Sequence, residues 1–326
     1  MKPLLLGLGL SLAPAPALAT DTPVSTSARV QPSGFDDGRI GFSLQINGDI
    51  ETDYSVFSIM ALPGATVDLR SSSDVRFASA SGFTSEASGN ARWLAPDEPG
   101  HHVIEMSSST GDVMRLNVFV LHPVEDVEDG ALNGYAIGDY PQTPFRGHDA
   151  YLPPQGFIGV PPELRDLPIS PHFTLGQFLC KQDGGPTRYA IVNPRLLLKL
   201  EWLLAEVNEH GWETDGFVVM SGYRTPSYNA AIGNGRYSRH VYGGAADIYI
   251  DEDGDGIMDD LNGDGVHDRR DAGALYELID GLLEEPRFAN FSGGLGEYGS
   301  NSAHGPFVHV DERGWNARWG RSSGSQ

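Results

Sequence analysis

The chain has 326 residues, a formal charge of −22 and 20% charged residues, which leaves room for about two domains. So large an acidic excess excludes nucleic acid as a partner, because a polyanion is held by basic surfaces. The sole cysteine, Cys180, excludes an internal disulfide, so buried side chains and bound metal must hold the fold.

Residues 1–19 predict a cleaved secretory signal peptide: Lys2, an apolar run from Leu4 to Leu12, then Ala17-Leu18-Ala19. That run is too short for a bilayer span and no later segment is long enough, so the mature chain is expected to have no membrane span. No cysteine follows the cleavage point to take a lipid. Export without disulfides or wall-anchoring motifs points to a Gram-negative periplasm. The competing expectation is an uncleaved N-terminal anchor.

Residues 20–39 form a flexible leader rich in Ser, Thr and Pro. Over residues 40–122 apolar and polar residues alternate, as in Phe42-Ser43-Leu44-Gln45-Ile46 and Leu116-Asn117-Val118-Phe119-Val120. Turn signals at Asn47-Gly48, Pro63-Gly64 and Pro99-Gly100 separate the runs, which predicts an immunoglobulin-like β-sandwich with Trp93 at a sheet edge. Residues 123–169, rich in Pro, Gly and aromatics, form an extended connector that wraps the next domain or lines its groove. From 170 to 320 strands and helices mix, so the expected class is α+β with a small antiparallel sheet. Cys180 falls among apolar residues at helical spacing and is expected as a buried, inert thiol. Asn193-Pro194 opens a helix with an apolar stripe from Leu196 to Val207, and Gly211 closes it. A second helix is expected over 274–283, and residues 321–326 form a tail.

Three residues of this region have the character of metal ligands. His240 and Asp247 are seven apart and cannot share one strand face. Gly243-Gly244 between them permits a tight turn that brings a loop histidine over the start of the next strand, with Ser238 orienting that loop. His309 in Phe307-Val308-His309-Val310-Asp311 completes a two-His, one-carboxylate set. Such a set suits a zinc ion that keeps one position open for water, and so predicts a hydrolase.

Together Ser221-Gly222-Tyr223-Arg224, Ser238-x-His240-x-x-Gly243-x-Ala245-x-Asp247 and Phe307-Val308-His309-Val310-Asp311 resemble the zinc D-Ala-D-Ala carboxypeptidase family. That family includes murein endopeptidases and shares its fold with lysostaphin-type peptidases and the hedgehog signalling domain. The resemblance covers about 170–320. It implies a zinc peptidase acting on the peptides of peptidoglycan, with His240, Asp247 and His309 as ligands. It also implies Arg224 gripping a substrate carboxylate or steadying an oxyanion, with Tyr223 and Ser238 beside it. The general base departs from the family pattern, since Pro306 and Phe307 stand where relatives carry Glu or His. His304, Asp311 and Glu297 remain as candidates. A chain lacking a base would be a binding module for peptidoglycan or protein, and that is the alternative function.

Residues 251–271 hold nine acids against two arginines, a net of −7. Asp251, Asp253, Asp255 and Asp259 carry oxygen ligands at EF-hand-like spacing. Asp260, Asn262, Asp264, the Val266 carbonyl, Asp268 and Asp271 repeat the pattern more completely. This predicts a structural calcium insert directly after the strand bearing Asp247.

Overall fold

The computed structural model describes residues 34–80 and 82–321, without the side chains of Ser85 and Glu86. The expected signal peptide, most of the leader and the tail from 322 lie outside them. Nine strands come first: β1 (Arg39–Ile46), β2 (Ile50–Tyr54), β3 (Val56–Ala61), β4 (Thr66–Ser71), β5 (Val75–Ser79), β6 (Phe83–Ala87), β7 (Asn90–Leu94), β8 (Gly100–Ser108) and β9 (Val113–Val120). They form two sheets, in the orders β2-β1-β4-β7-β6 and β3-β9-β8-β5. The alternation drives this arrangement: Leu44 and Ile46 of β1 and Val67 and Leu69 of β4 are buried while their neighbours face outward. Asn47 and Gly48 both take positive φ, 52° and 84°, which closes the β1–β2 hairpin with Ile46 opposite Ile50. Trp93 is not at an edge. Its strand lies between β4 and β6, and its side chain is fully buried.

The connector is knitted into its neighbours. Strand Gly156–Val160 lies between His122–Pro123 and Arg188–Ala190 in a three-stranded sheet. Ala131–Leu132 and Tyr135–Ala136 make a small hairpin. Frequent aromatics explain the order, because Tyr135, Tyr140, Tyr151 and Phe157 are all buried.

Helix α1 (Pro194–His210) starts and stops where its sequence dictates. Asn193 Oδ1 accepts from the Arg195 amide at 2.9 Å, and Gly211 ends it at φ 100°. A short α2 (Pro226–Ala231), capped by Thr225, was not expected. Helix α3 runs Arg269–Leu283, five residues longer at its start than the apolar pattern predicts, because Asp268 and Asp271 form a capping box there. Cys180 is buried and free.

The last sheet carries the candidate site. Its strands are β10 (Val218–Ser221), β11 (Ala245–Tyr249), β12 (Gly294–Tyr298), β13 (Phe307–Asp311) and β14 (Ala317–Trp319), in the order β10-β11-β13-β12-β14. All pairings are antiparallel except β12 with β14. The class is α+β, with small sheets and three α-helices among the described residues. None of these helices is long and apolar enough to cross a membrane.

Candidate metal centre and cleft

Register sets out the site as one row across the sheet. Ser221 pairs with Asp247, Asp247 with His309, His309 with Gly296, and Gly296 with Trp319. Directly paired residues on neighbouring strands present their side chains on the same face. His240 reaches this row from a 3-10 turn, Arg239–Tyr242, that ends in the left-handed Gly243 at φ 64°. A side chain there would also come within 2.7 Å of the Ile191 carbonyl carbon, so glycine is required on both counts.

His240 Nε2, Asp247 Oδ1 and His309 Nδ1 converge. Nε2 lies 3.2 Å from each of the other two atoms, and these are 2.8 Å apart. The outer ring nitrogens settle the tautomers. His240 Nδ1 donates to the Gly222 carbonyl at 2.7 Å, and His309 Nε2 donates to Asp311 Oδ2 at 3.1 Å. In the neutral form of both rings these protons turn outward, and two nitrogen lone pairs and a carboxylate oxygen face one another. All three residues are buried. Three converging acceptors without a proton are stable around a cation, and imidazole with carboxylate is a zinc-type donor set.

The electrostatics follow from the same contacts. Burial pushes His240 below the ordinary histidine range. Burial acts the same way on His309, but the Asp247 and Asp311 carboxylates outweigh it and favour the protonated ring, in which Nδ1 also donates to Asp247. For Asp247, burial would raise the carboxyl, yet His240 and His309 hold it well below the carboxylate range.

Arg224 does not point freely into the cleft. Its Nη2 donates to Asp247 Oδ2 at 2.5 Å and its Nε to Ser221 Oγ at 2.8 Å. It therefore braces the ligand carboxylate. Tyr223, expected as a substrate contact, is buried away from the cleft. Its hydroxyl meets that of Tyr140 at 2.9 Å, and Tyr140 donates to the Val241 carbonyl. A connector tyrosine thus occupies the polar end of this motif residue. Ser238 lines the cleft and precedes the His240 turn.

The three base candidates part company. Asp311 is fully buried and its carboxylate is spoken for by His309 Nε2, the Gly294 amide at 2.7 Å and the Arg313 guanidinium. It positions His309 and has no free oxygen edge for water, so the geometry corrects the expectation of a base there. Glu297 is adjacent to Gly296 on β12 and so faces the other side of the sheet, where Arg269 Nε holds it at 2.6 Å. His304 does line the cleft. Its Nδ1 donates to the Gly305 carbonyl at 2.8 Å and its Nε2 accepts from Asn301 Nδ2 at 2.7 Å. In this arrangement its basic nitrogen is occupied by its own loop.

The acidic insert repeats one fold twice. The Asp255 and Gly256 amides donate to Asp251, and nine residues on, the Asp264 and Gly265 amides donate to Asp260. In the first loop the carboxylates of Asp251, Asp253 and Asp255 come together, with Asp259 held by the Glu252 amide. The second loop differs from expectation. Arg270 pairs with Asp264 at 2.7 Å and with Asp268 at 3.0 Å, and Asp268 and Asp271 cap α3. A side-chain cation and a helix end therefore use carboxylates that the spacing assigns to calcium. Asn262 points its Oδ1 at the Asp264 amide, and Val266 is exposed.

Residues 171–259 match the family described as Peptidase M15, a segment containing His240, Asp247 and Arg224. This match supports the M15, D-Ala-D-Ala carboxypeptidase-like family in the C-terminal region. No curated protein matches the chain. One solved structure, a nucleoside hydrolase-related hypothetical protein from Saccharophagus degradans associated with carbohydrate metabolism, is similar at 15% identity. It covers 25% of this chain and 25% of its own, with a TM-score of 0.18, and this likeness carries no argument.

Proposed function

We propose that the chain is a zinc-dependent peptidase cleaving stem peptides or cross-links of peptidoglycan. The observation that carries this is the convergence of His240 Nε2, Asp247 Oδ1 and His309 Nδ1 with their protons directed outward, beside a cleft of about 1840 Å³. A zinc ion held by these atoms would supply Lewis acidity, lowering the pKa of water toward about 7 and polarising the scissile carbonyl. Arg224 and Asp311 keep Asp247 and His309 in place for that ion.

The cleft suits an acidic peptide. Of its six Lys and Arg lining residues, Arg224, Arg239, Arg269 and Arg313 are paired with carboxylates, which leaves two cations to face a ligand. Stem peptides end in carboxylates and carry further ones along their length, so their charge complements this wall. Lys181 and Arg236 line it without an acidic partner among the described residues and are placed to meet those carboxylates.

His304 takes the general-base role in this reading, because it lines the cleft and its imidazole can accept a proton there. Releasing Nε2 from Asn301 exposes its lone pair. Its engagement in the present arrangement is also the one observation favouring a second reading, a zinc-containing module that binds peptidoglycan or protein without cleaving it. Incubating zinc-loaded protein with purified muropeptides and following products by mass spectrometry separates the two. Products that vanish in His240→Ala establish the peptidase, whereas retention of muropeptides without products establishes the binder. His304→Ala with normal turnover at unchanged zinc content would remove that residue from the mechanism.

In the same reading the N-terminal sheets, 40–122, form an immunoglobulin-like sandwich. Cleavage after residue 19 delivers the protein to a Gram-negative periplasm, and calcium occupies the loop of Asp251, Asp253 and Asp255. A melting temperature that does not rise with calcium would dispose of the last point.

A further inference from the structure

The row of paired residues that holds Asp247 and His309 ends in Trp319, a residue with no part in holding metal or moving protons, and one outside the 171–259 match. Its indole lies over Gly296. A Cβ at position 296 would come within 2.5 Å of Cε2 and 2.9 Å of Cζ2 of that ring, and closer still to its Nε1. The ring is fixed at two further points. Nε1 donates to the Tyr298 hydroxyl at 2.8 Å. The Arg313 guanidinium, itself gripped by Asp311, lies 5.1 Å from the ring centroid. On the ligand side the His309 ring is also 5.1 Å away.

Trp319 is nonetheless only half-buried and lines the cleft. Tyr298 and Phe307 line it too, stacked on each other at 4.5 Å and nearly parallel at 7°. A rigid indole with an open side offers apolar area with little conformational entropy left to lose when something packs on it.

We propose that Trp319 is a specificity-determining residue. Its indole, continued by the Tyr298–Phe307 pair, forms the apolar wall against which the substrate side chain next to the scissile bond packs, and Gly296 is the position that admits it. This deepens the peptidase reading and rests on it.

The test uses the full zinc-loaded chain and N-acetylated tripeptides that differ only in the residue before the scissile bond: D-Ala, D-Leu or D-Asp. Trp319→Ala is expected to raise KM for the apolar peptides about tenfold, by more than it lowers kcat, and to flatten the preference over D-Asp. Trp319→Phe should restore most of the loss. Gly296→Ala should behave like Trp319→Ala, because the indole is displaced. An unchanged KM pattern, failure of phenylalanine to rescue, or a fall in zinc content that accounts for the loss overturns the proposal. If the wild-type chain cleaves none of the peptides, the peptidase reading fails separately. Tryptophan fluorescence titration with the same peptides then decides the wall: quenching that disappears in Trp319→Phe supports it, and its absence or persistence in that variant overturns it.

Discussion

Asp311→Asn tests whether the site depends on a buried carboxylate that never touches metal. Asp311 has no solvent exposure. Its two oxygens accept from the Gly294 amide at 2.7 Å, the Arg313 amide at 3.0 Å, Arg313 Nε at 2.9 Å and His309 Nε2 at 3.1 Å. An asparagine fills the same volume but replaces one acceptor by a donor. That NH₂ must face the guanidinium or an amide or imidazole N–H, so donor meets donor. Breaking a buried ion pair from one side costs about 3–5 kcal/mol, and a stranded buried N–H about 1–3 kcal/mol. The Arg313 side chain is 18% exposed and recovers some hydration, so the lower figure of about 3 kcal/mol is expected. Loss of the brace on His309 should also weaken zinc by about 10- to 100-fold. Urea denaturation of metal-free protein measures the first effect and a chelator competition titration the second. A loss below about 1 kcal/mol with unchanged zinc affinity would refute the bracing role. Abolished turnover at full zinc affinity would instead restore Asp311 as the base.

Gly243→Ala forces a side chain into φ 64° and against the Ile191 carbonyl. It should destabilise by more than about 2 kcal/mol and weaken zinc with it, as read from the same two titrations. His172 Nδ1 bonds Glu201 at 2.6 Å, and although burial lowers its pKa, Glu201 outweighs that and raises it above 6.5. The stability from this pair is therefore fully present below about pH 6.5 and is lost as pH rises through the folded-state value. Unfolding midpoints of wild type and His172→Gln should differ in acid and converge on the alkaline side, and a gap that widens upward would contradict the assignment. A chain beginning at 171 loses the Tyr140 contacts to Tyr223 and Val241 and the strand Gly156–Val160. It should lack a cooperative unfolding transition that a chain beginning at 122 retains.

Local chemistry was legible in the sequence, and distant pairing was not. Asn193-Pro194 and Gly211 delimit α1 because capping is decided within a few residues. The doubled turn of the acidic loops is legible for the same reason, each aspartate serving amides four and five residues ahead. Arg270 escaped notice because its choice between solvent and Asp264 is a matter of side-chain reach, which spacing does not encode. Tyr223 was misplaced for a stronger reason: its partner Tyr140 lies 83 residues earlier, in a connector expected to wrap this domain, and composition does not say which of its residues meets which motif position.

Register explains the rest. A one-residue slip turns every side chain of a strand to the opposite face, so nothing in the order of residues announces that Gly296 stands opposite His309, or Trp319 opposite Gly296. Glu297 shows the consequence, since one position along β12 separates a residue beside the ligands from one paired with Arg269 on the other side. The motif names the ligands, but the sheet decides which neighbours share their face. Here it chooses a glycine and the tryptophan that lies over it. A Gly296→Ala change, conservative in composition, is therefore expected to displace the indole beside the ligands, by a route that runs through packing and leaves coordination intact.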